Sequence, residues 1–122
     1  MEYQFRPNLF VKSTTFRLQD GALEVETGGK RSTIPLQQIN GLLEFGGGSA
    51  TDPDTGRFYM QHLVLRHGWR RFELKSGSYL GPDGGGIEAK NQGPEYDAFV
   101  TRLKQALVAV NPIMKVSYGH RL

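Results

Sequence analysis

The sequence predicts a mostly β domain (α+β) closed by one C-terminal amphipathic helix. Three observations carry that expectation. Sixteen glycines in 122 residues are about twice the ordinary usage of roughly 7%, which favours short strands and tight turns over a helical bundle. Two segments alternate apolar and polar residues around Asp20-Gly21 and His67-Gly68, the period of half-buried strands on either side of a turn. Only Pro94 to Val110 carries a convincing apolar stripe at helical spacing.

The first clear unit is Thr15 to Gln19, then Asp20-Gly21, then Ala22 to Glu26. Asp-Gly suits a type I′ turn, in which both central residues take positive φ, and it sets Leu18 opposite Leu23 and Phe16 opposite Val25 on one face. Arg17, Glu24 and Glu26 then face water. After the turn Thr27 to Lys30 come Ser32 to Leu36 and Ile39 to Phe45, with Pro35 placed at an edge, bend or bulge because it has no N–H for a ladder. Gly46 to Gly56, with three consecutive glycines and Asp52-Pro53-Asp54, reads as a mobile loop.

Arg57 to Arg66 and Trp69 to Lys75 form a second hairpin. Turning on His67-Gly68 sets Arg66 opposite Trp69 and His62 opposite Glu73 on the outside. Turning on Gly68-Trp69 keeps Leu63, Leu65, Phe72 and Leu74 together equally well, and the sequence leaves the register open. Ser76 to Gly93 is expected to be a second long loop, Gly-rich over 77–93, with one short strand. In the helix, Tyr96, Phe99, Val100, Leu103, Leu107 and Val110 make the stripe, Pro94 and Glu95 suit the first turn, and Asn111-Pro112 ends it. The extension 111–122 adds a strand over Ile113 to Tyr118 or lies across the helix and sheet. No repeat or linker divides the chain, so residues 1–122 are expected to form a single domain.

Composition excludes a good deal of chemistry. Zero cysteines removes disulfides, thiolate metal sites and cysteine nucleophiles. With 15 Lys and Arg against 12 Asp and Glu the charge is a mild +3, and the basic residues are scattered among acids, which argues against nucleic-acid binding. The first residues lack the basic start and apolar run of a secretory signal. The longest apolar run is Ala106 to Val110, far short of the roughly 18 residues of a membrane span. A soluble, cytoplasmic protein is expected.

The segment Arg31-Ser32-Thr33-Ile34-Pro35-Leu36-Gln37-Gln38-Ile39-Asn40-Gly41-Leu42 and the helix Tyr96 to Leu103 resemble their counterparts in bacterial pleckstrin-homology-like (PH-like) domains. The resemblance covers roughly Thr14 to Val110. It implies a bent antiparallel sheet, a partly open barrel of about seven strands, plugged by the closing helix. It also implies a binding or scaffold module and brings no catalytic residues. Eukaryotic relatives hold inositol phosphates through basic residues at the first turn, whereas the matching turn here, Gln19 to Ala22, is short and acidic.

Other motifs fall away on inspection. Asp52-Pro53-Asp54-Thr55-Gly56 is reminiscent of a calcium loop but lacks an oxygen ligand at Gly56 and the downstream glutamate, so a plain turn is favoured. Gly28 to Thr33 has no phosphate-loop spacing. His62, His67 and His120 have no metal-ligand spacing, and no Gly-x-Ser-x-Gly elbow occurs. Neither metal nor cofactor is expected, and no catalytic residue is assigned.

The best candidate binding site is the second hairpin tip, Arg66, Trp69, Arg70 and Arg71. Arginines can hold an anion bidentately while an indole stacks or anchors at an interface. The plainer and favoured reading packs Trp69 under the barrel rim and leaves the arginines to solvate an edge. The leading functional expectation is a noncatalytic module that recognises a protein partner or its own copies. The alternative is peripheral binding to an anionic lipid surface or other polyanion through the tip, and an enzyme with its site among the glycine-rich loops comes third.

Overall fold

The computed structural model describes residues 1–10, 13–83, 86–112 and 115–120, with backbone alone for 83 and 115–120. Ten strands and one α-helix are present among them, in two sheets that do not close into a barrel. The mostly β character with a single helix is as the sequence reads. The strand number exceeds the expected seven, and the reason lies in the glycines.

The first sheet is antiparallel and runs β1 (Glu2–Phe5), β2 (Thr14–Gln19), β3 (Ala22–Thr27), β4 (Lys30–Pro35) in that order. Leu18 faces Leu23 and Phe16 faces Val25, the register expected from a turn on Asp20-Gly21. The turn differs from type I′: Gly21 has φ +72, but among the described residues no non-glycine has positive φ, so Asp20 stays in ordinary space. Pro35 ends β4, the edge strand, where a missing N–H breaks no ladder. A 3-10 turn, Leu36–Gln38, then buries Leu36 and carries the chain to the second sheet.

The second sheet has the order β7-β6-β5-β9-β8, from β5 (Gly41–Asp52), β6 (Gly56–His67), β7 (Arg70–Lys75), β8 (Gly77–Asp83) and β9 (Gly86–Asn91). Gly46 to Gly56 is therefore no mobile loop but the second half of β5, a short turn and the start of β6. A register shift between Gly46 and Ser49 absorbs the extra residues, and Gly48, at φ +76, supplies a conformation that side chains avoid. The same device recurs between Tyr79 and Gly81 in the β8–β9 hairpin, which replaces the second expected loop. A strand also follows the helix: β10 (Lys115–His120) lies parallel to the first half of β5, with Lys115 at Gly41 and His120 at Gly46. Ile113 and Met114, part of the expected terminal strand, lie outside the described residues. A parallel partner was not foreseen, and the helix between β5 and β10 supplies the crossover that parallel pairing requires.

The helix α1 (Gly93–Val110) holds Pro94 and Glu95 in its first turn and buries Tyr96, Phe99, Val100, Leu103 and Leu107. Val110 is exposed, one position short of the stripe read from the sequence. These side chains share one core with Tyr3, Phe5, Phe16 and Leu23 of the first sheet and Leu63, Leu65 and Leu74 of the second. The Tyr3 ring lies 6.0 Å from Tyr96, edge on, and 6.1 Å from Phe99. Lys104 pairs with Glu44, tying the helix to β5. The sheets are stitched together where Tyr79 N–H donates to the Arg6 carbonyl at 2.7 Å and Arg6 N–H to Ser78 Oγ at 2.8 Å. No described helix is long and apolar enough to cross a membrane.

Candidate functional site

The β6–β7 hairpin settles the open register. His67 pairs with Arg70, Arg66 with Arg71, Leu65 with Phe72 and Leu63 with Leu74, so the chain turns on Gly68-Trp69. Gly68 takes φ +64 at the first central position, which no side-chain-bearing residue there reaches cheaply. Leu63, Leu65, Phe72 and Leu74 face the helix. Arg66, Arg71, Val64 and Glu73 share the opposite face, because strand side chains alternate.

The tip decides one open alternative and overturns one sequence expectation. Arg66 faces Arg71, not Trp69, and Trp69 sits at the apex of the turn. Nor does Trp69 pack under a rim: it is 95% exposed, since a turn residue beyond the last paired row has no sheet beneath it. Arg66, Arg70 and Arg71 are exposed beside it. The base of the tip is fixed, however. Asn40 N–H donates to the Arg66 carbonyl at 2.9 Å, and His67 Nε2 lies 3.0 Å from Gln38 Oε1. The Arg70 guanidinium stands 5.0 Å from the centre of the Phe72 ring, a cation–π contact. A rigid stem thus presents an indole and three guanidinium groups. Among the described residues none of the three arginines makes an ion pair.

Below the tip, on the same outer face, His62 is 4% exposed rather than solvent-facing. Its ring stacks on Phe45 at 4.7 Å, Nδ1 lies 2.9 Å from Glu73 Oε1, and Nε2 lies 3.0 Å from the Gly47 carbonyl. The expected His62–Glu73 contact is present, but it is diagonal, since Glu73 is registered with Val64. The hydrogen bond to His62 holds the Glu73 carboxyl below its usual range. Sequence reasoning missed this cluster because the Phe45–His62 pairing exists only once the strands are in register.

Asp52 is occupied structurally. Its Oδ2 accepts from Asn91 N–H at 2.7 Å, and its Oδ1 accepts from Asp54 N–H at 2.7 Å and Thr55 N–H at 3.3 Å, which places its carboxyl below the usual range with the Asn91 bond foremost. The oxygens that a calcium loop would turn to a cation are spent on the backbone. A hollow of about 430 Å³ beside Arg17 and Glu26, and another of about 500 Å³ between the β2–β3 turn and the end of α1, lie away from the tip. No family model, curated protein or solved structure matches this chain.

Proposed function

We propose that the chain is a noncatalytic binding module whose contact point is the β6–β7 tip, engaging an anionic membrane surface. The single observation that carries this reading is Trp69, 95% exposed on a fixed stem between three exposed arginines. An indole suits the headgroup boundary, with its apolar ring in the interface and its N–H in the polar layer. Basic residues near an anionic leaflet contribute about 1 kcal/mol each. The PH-like architecture belongs to the same proposal. A four-stranded antiparallel sheet, a second sheet and an α-helix behind them support it, and the parallel β10 goes beyond it. The cytoplasmic location, where anionic lipid faces the protein, is part of the same proposal.

The test is co-sedimentation with phosphatidylcholine vesicles with and without phosphatidylserine, at low and high salt. Binding that requires the anionic lipid, weakens with salt and disappears on joint replacement of Arg66, Arg70 and Arg71 by alanine is expected. Undiminished binding by that variant sinks the proposal. A second reading, pairing with a protein strand or another copy, is favoured by β4, whose outer edge has no strand partner among the described residues. Concentration-dependent sedimentation abolished by a proline at Thr33 would support it.

A further inference from the structure

The strand registers align a row of positions across four strands. Lys115 of β10 is registered with Gly41 of β5, Gly41 with Arg66 of β6, and Arg66 with Arg71 of β7. Three of these four residues are basic and the fourth has no side chain. Directly opposed residues of an antiparallel pair project from the same face with Cβ atoms about 5 Å apart, and like charges there repel. Among the described residues neither Arg66 nor Arg71 makes an ion pair. Glu73, on the same face, feels the Arg71 charge but is hydrogen-bonded to His62 at 2.9 Å, so it offsets the repulsion only in part. Arg70 is different: it lies on the other face, registered with His67 and held over Phe72. The tip therefore contains a pair of free forks and one engaged cation.

We infer that Arg66 and Arg71 form a clamp for one phosphomonoester group, the headgroup of a lipid that ends in phosphate. Two guanidinium forks facing each other match the oxygens of a single phosphate bidentately, and a dianion neutralises a paired cation site that a monoanion leaves half compensated. The clamp rests on the membrane reading above, and it narrows the ligand from any anionic surface to this headgroup.

The experiment compares vesicles of phosphatidylcholine carrying phosphatidic acid or phosphatidylserine at matched surface charge, for the wild type, Arg66→Ala, Arg71→Ala, Arg70→Ala and the double lysine variant R66K/R71K. Wild-type protein prefers phosphatidic acid by about tenfold, the worth of one charge-assisted bidentate contact. Arg66→Ala and Arg71→Ala erase the preference, Arg70→Ala lowers binding to both lipids by about fivefold while keeping it, and R66K/R71K keeps the charge but loses the preference. Amide spectra identical to wild type exclude misfolding. Equal binding to the two lipids, or a preference that survives both alanine variants, overturns the clamp while leaving the membrane reading intact. Soluble glycerol phosphate separates the two further: movement of the Arg66 and Arg71 Nε–H resonances without vesicle binding supports the clamp and refutes the membrane reading, and no response to either refutes both.

Discussion

In the β2–β3 hairpin Arg17 meets three carboxylates, Glu2 at 2.8 Å, Glu24 at 2.7 Å and Glu26 at 2.9 Å, and Arg31 approaches Glu24 and Glu26 at 3.5 and 3.8 Å. In the β6–β7 hairpin Arg66, Arg70 and Arg71 meet none among the described residues. Both hairpins are short, antiparallel and arginine-bearing, yet one closes its charge on itself and the other holds it outward. The contrast shows that a mild net charge of +3 is a poor guide to electrostatics: what matters is where the surplus goes unpaired. The closed network orders a sheet face, and the open one is available to a partner.

The sharpest way to break the comparison is to move function from one hairpin to the other. Joint replacement of Arg66, Arg70 and Arg71 by alanine should lower affinity for anionic vesicles about a hundredfold, at about 1 kcal/mol per arginine, with little change in the thermal midpoint, because relief of the opposed Arg66–Arg71 pair offsets loss of the Arg70–Phe72 contact. Arg17→Met should do the reverse, lowering the midpoint in calorimetry and leaving vesicle affinity alone. If Arg17→Met weakened binding as much as the triple variant, the distinction between the hairpins would collapse.

Acid offers a second, intermediate probe. Arg17 holds the Glu26 carboxyl below its usual range, as the Asn91 N–H does for Asp52 and His62 for Glu73. A depressed folded-state value means that the stabilisation is complete above the unfolded values near about pH 4 and is lost as pH falls through the folded ones. Unfolding monitored from pH 6 down to pH 2 should therefore show stability falling below about pH 4. Glu73→Gln should flatten part of that fall. Removing Arg71, whose charge also helps to hold the Glu73 carboxyl low, should take away a small part of the same fall, smaller than that lost with Glu73→Gln.

The smallest effects test the same contrast between paired and unpaired polar groups inside the core. The Tyr3 hydroxyl donates to the Lys75 carbonyl at 2.5 Å, while the Tyr96 hydroxyl is buried without a partner among the described residues. Burial raises the pKa of both phenols above the ordinary value. Tyr3→Phe should cost about 1 kcal/mol in denaturant unfolding, and Tyr96→Phe should be neutral or stabilising by up to ~1 kcal/mol. A larger loss at Tyr96 than at Tyr3 would contradict the assignment of partners.

Legibility followed the strength of local pattern. Leu18 opposite Leu23 was readable because the Asp20-Gly21 turn signal selects among the registers that keep the apolar residues on one face, and Tyr96 to Leu107 was readable because a helix repeats its stripe over several turns. The second hairpin was ambiguous because two registers bury the same four residues, and Gly68 can supply a positive φ at either central position of the turn. Glycine misled at 46–48 and 77–81, since the residue that breaks a strand also lets a strand take a bulge and continue. Trp69 was legible as a candidate but not as exposed, because an aromatic residue in a turn is placed by neighbours that the local sequence does not name. Arg66 and Arg71 were legible as candidates, but their opposition follows from only one of the two open registers.

The stitching of the N-terminal strand bears on the order in which the chain acquires its shape. Tyr3 reaches Lys75, Arg6 reaches Ser78 and Tyr79, and the Gln92 amide donates to the Gln4 carbonyl across 88 residues. β1 pairs with the nearby β2, but its ties to the second sheet and the helix form only after the closure entropy of long loops has been met, which slows folding relative to locally connected topologies. On the ribosome the β1–β2–β3–β4 meander can therefore assemble well before it docks. Until residues 75–99 have emerged, Tyr3 and Phe5 are covered only from within that sheet, by neighbours such as Phe16.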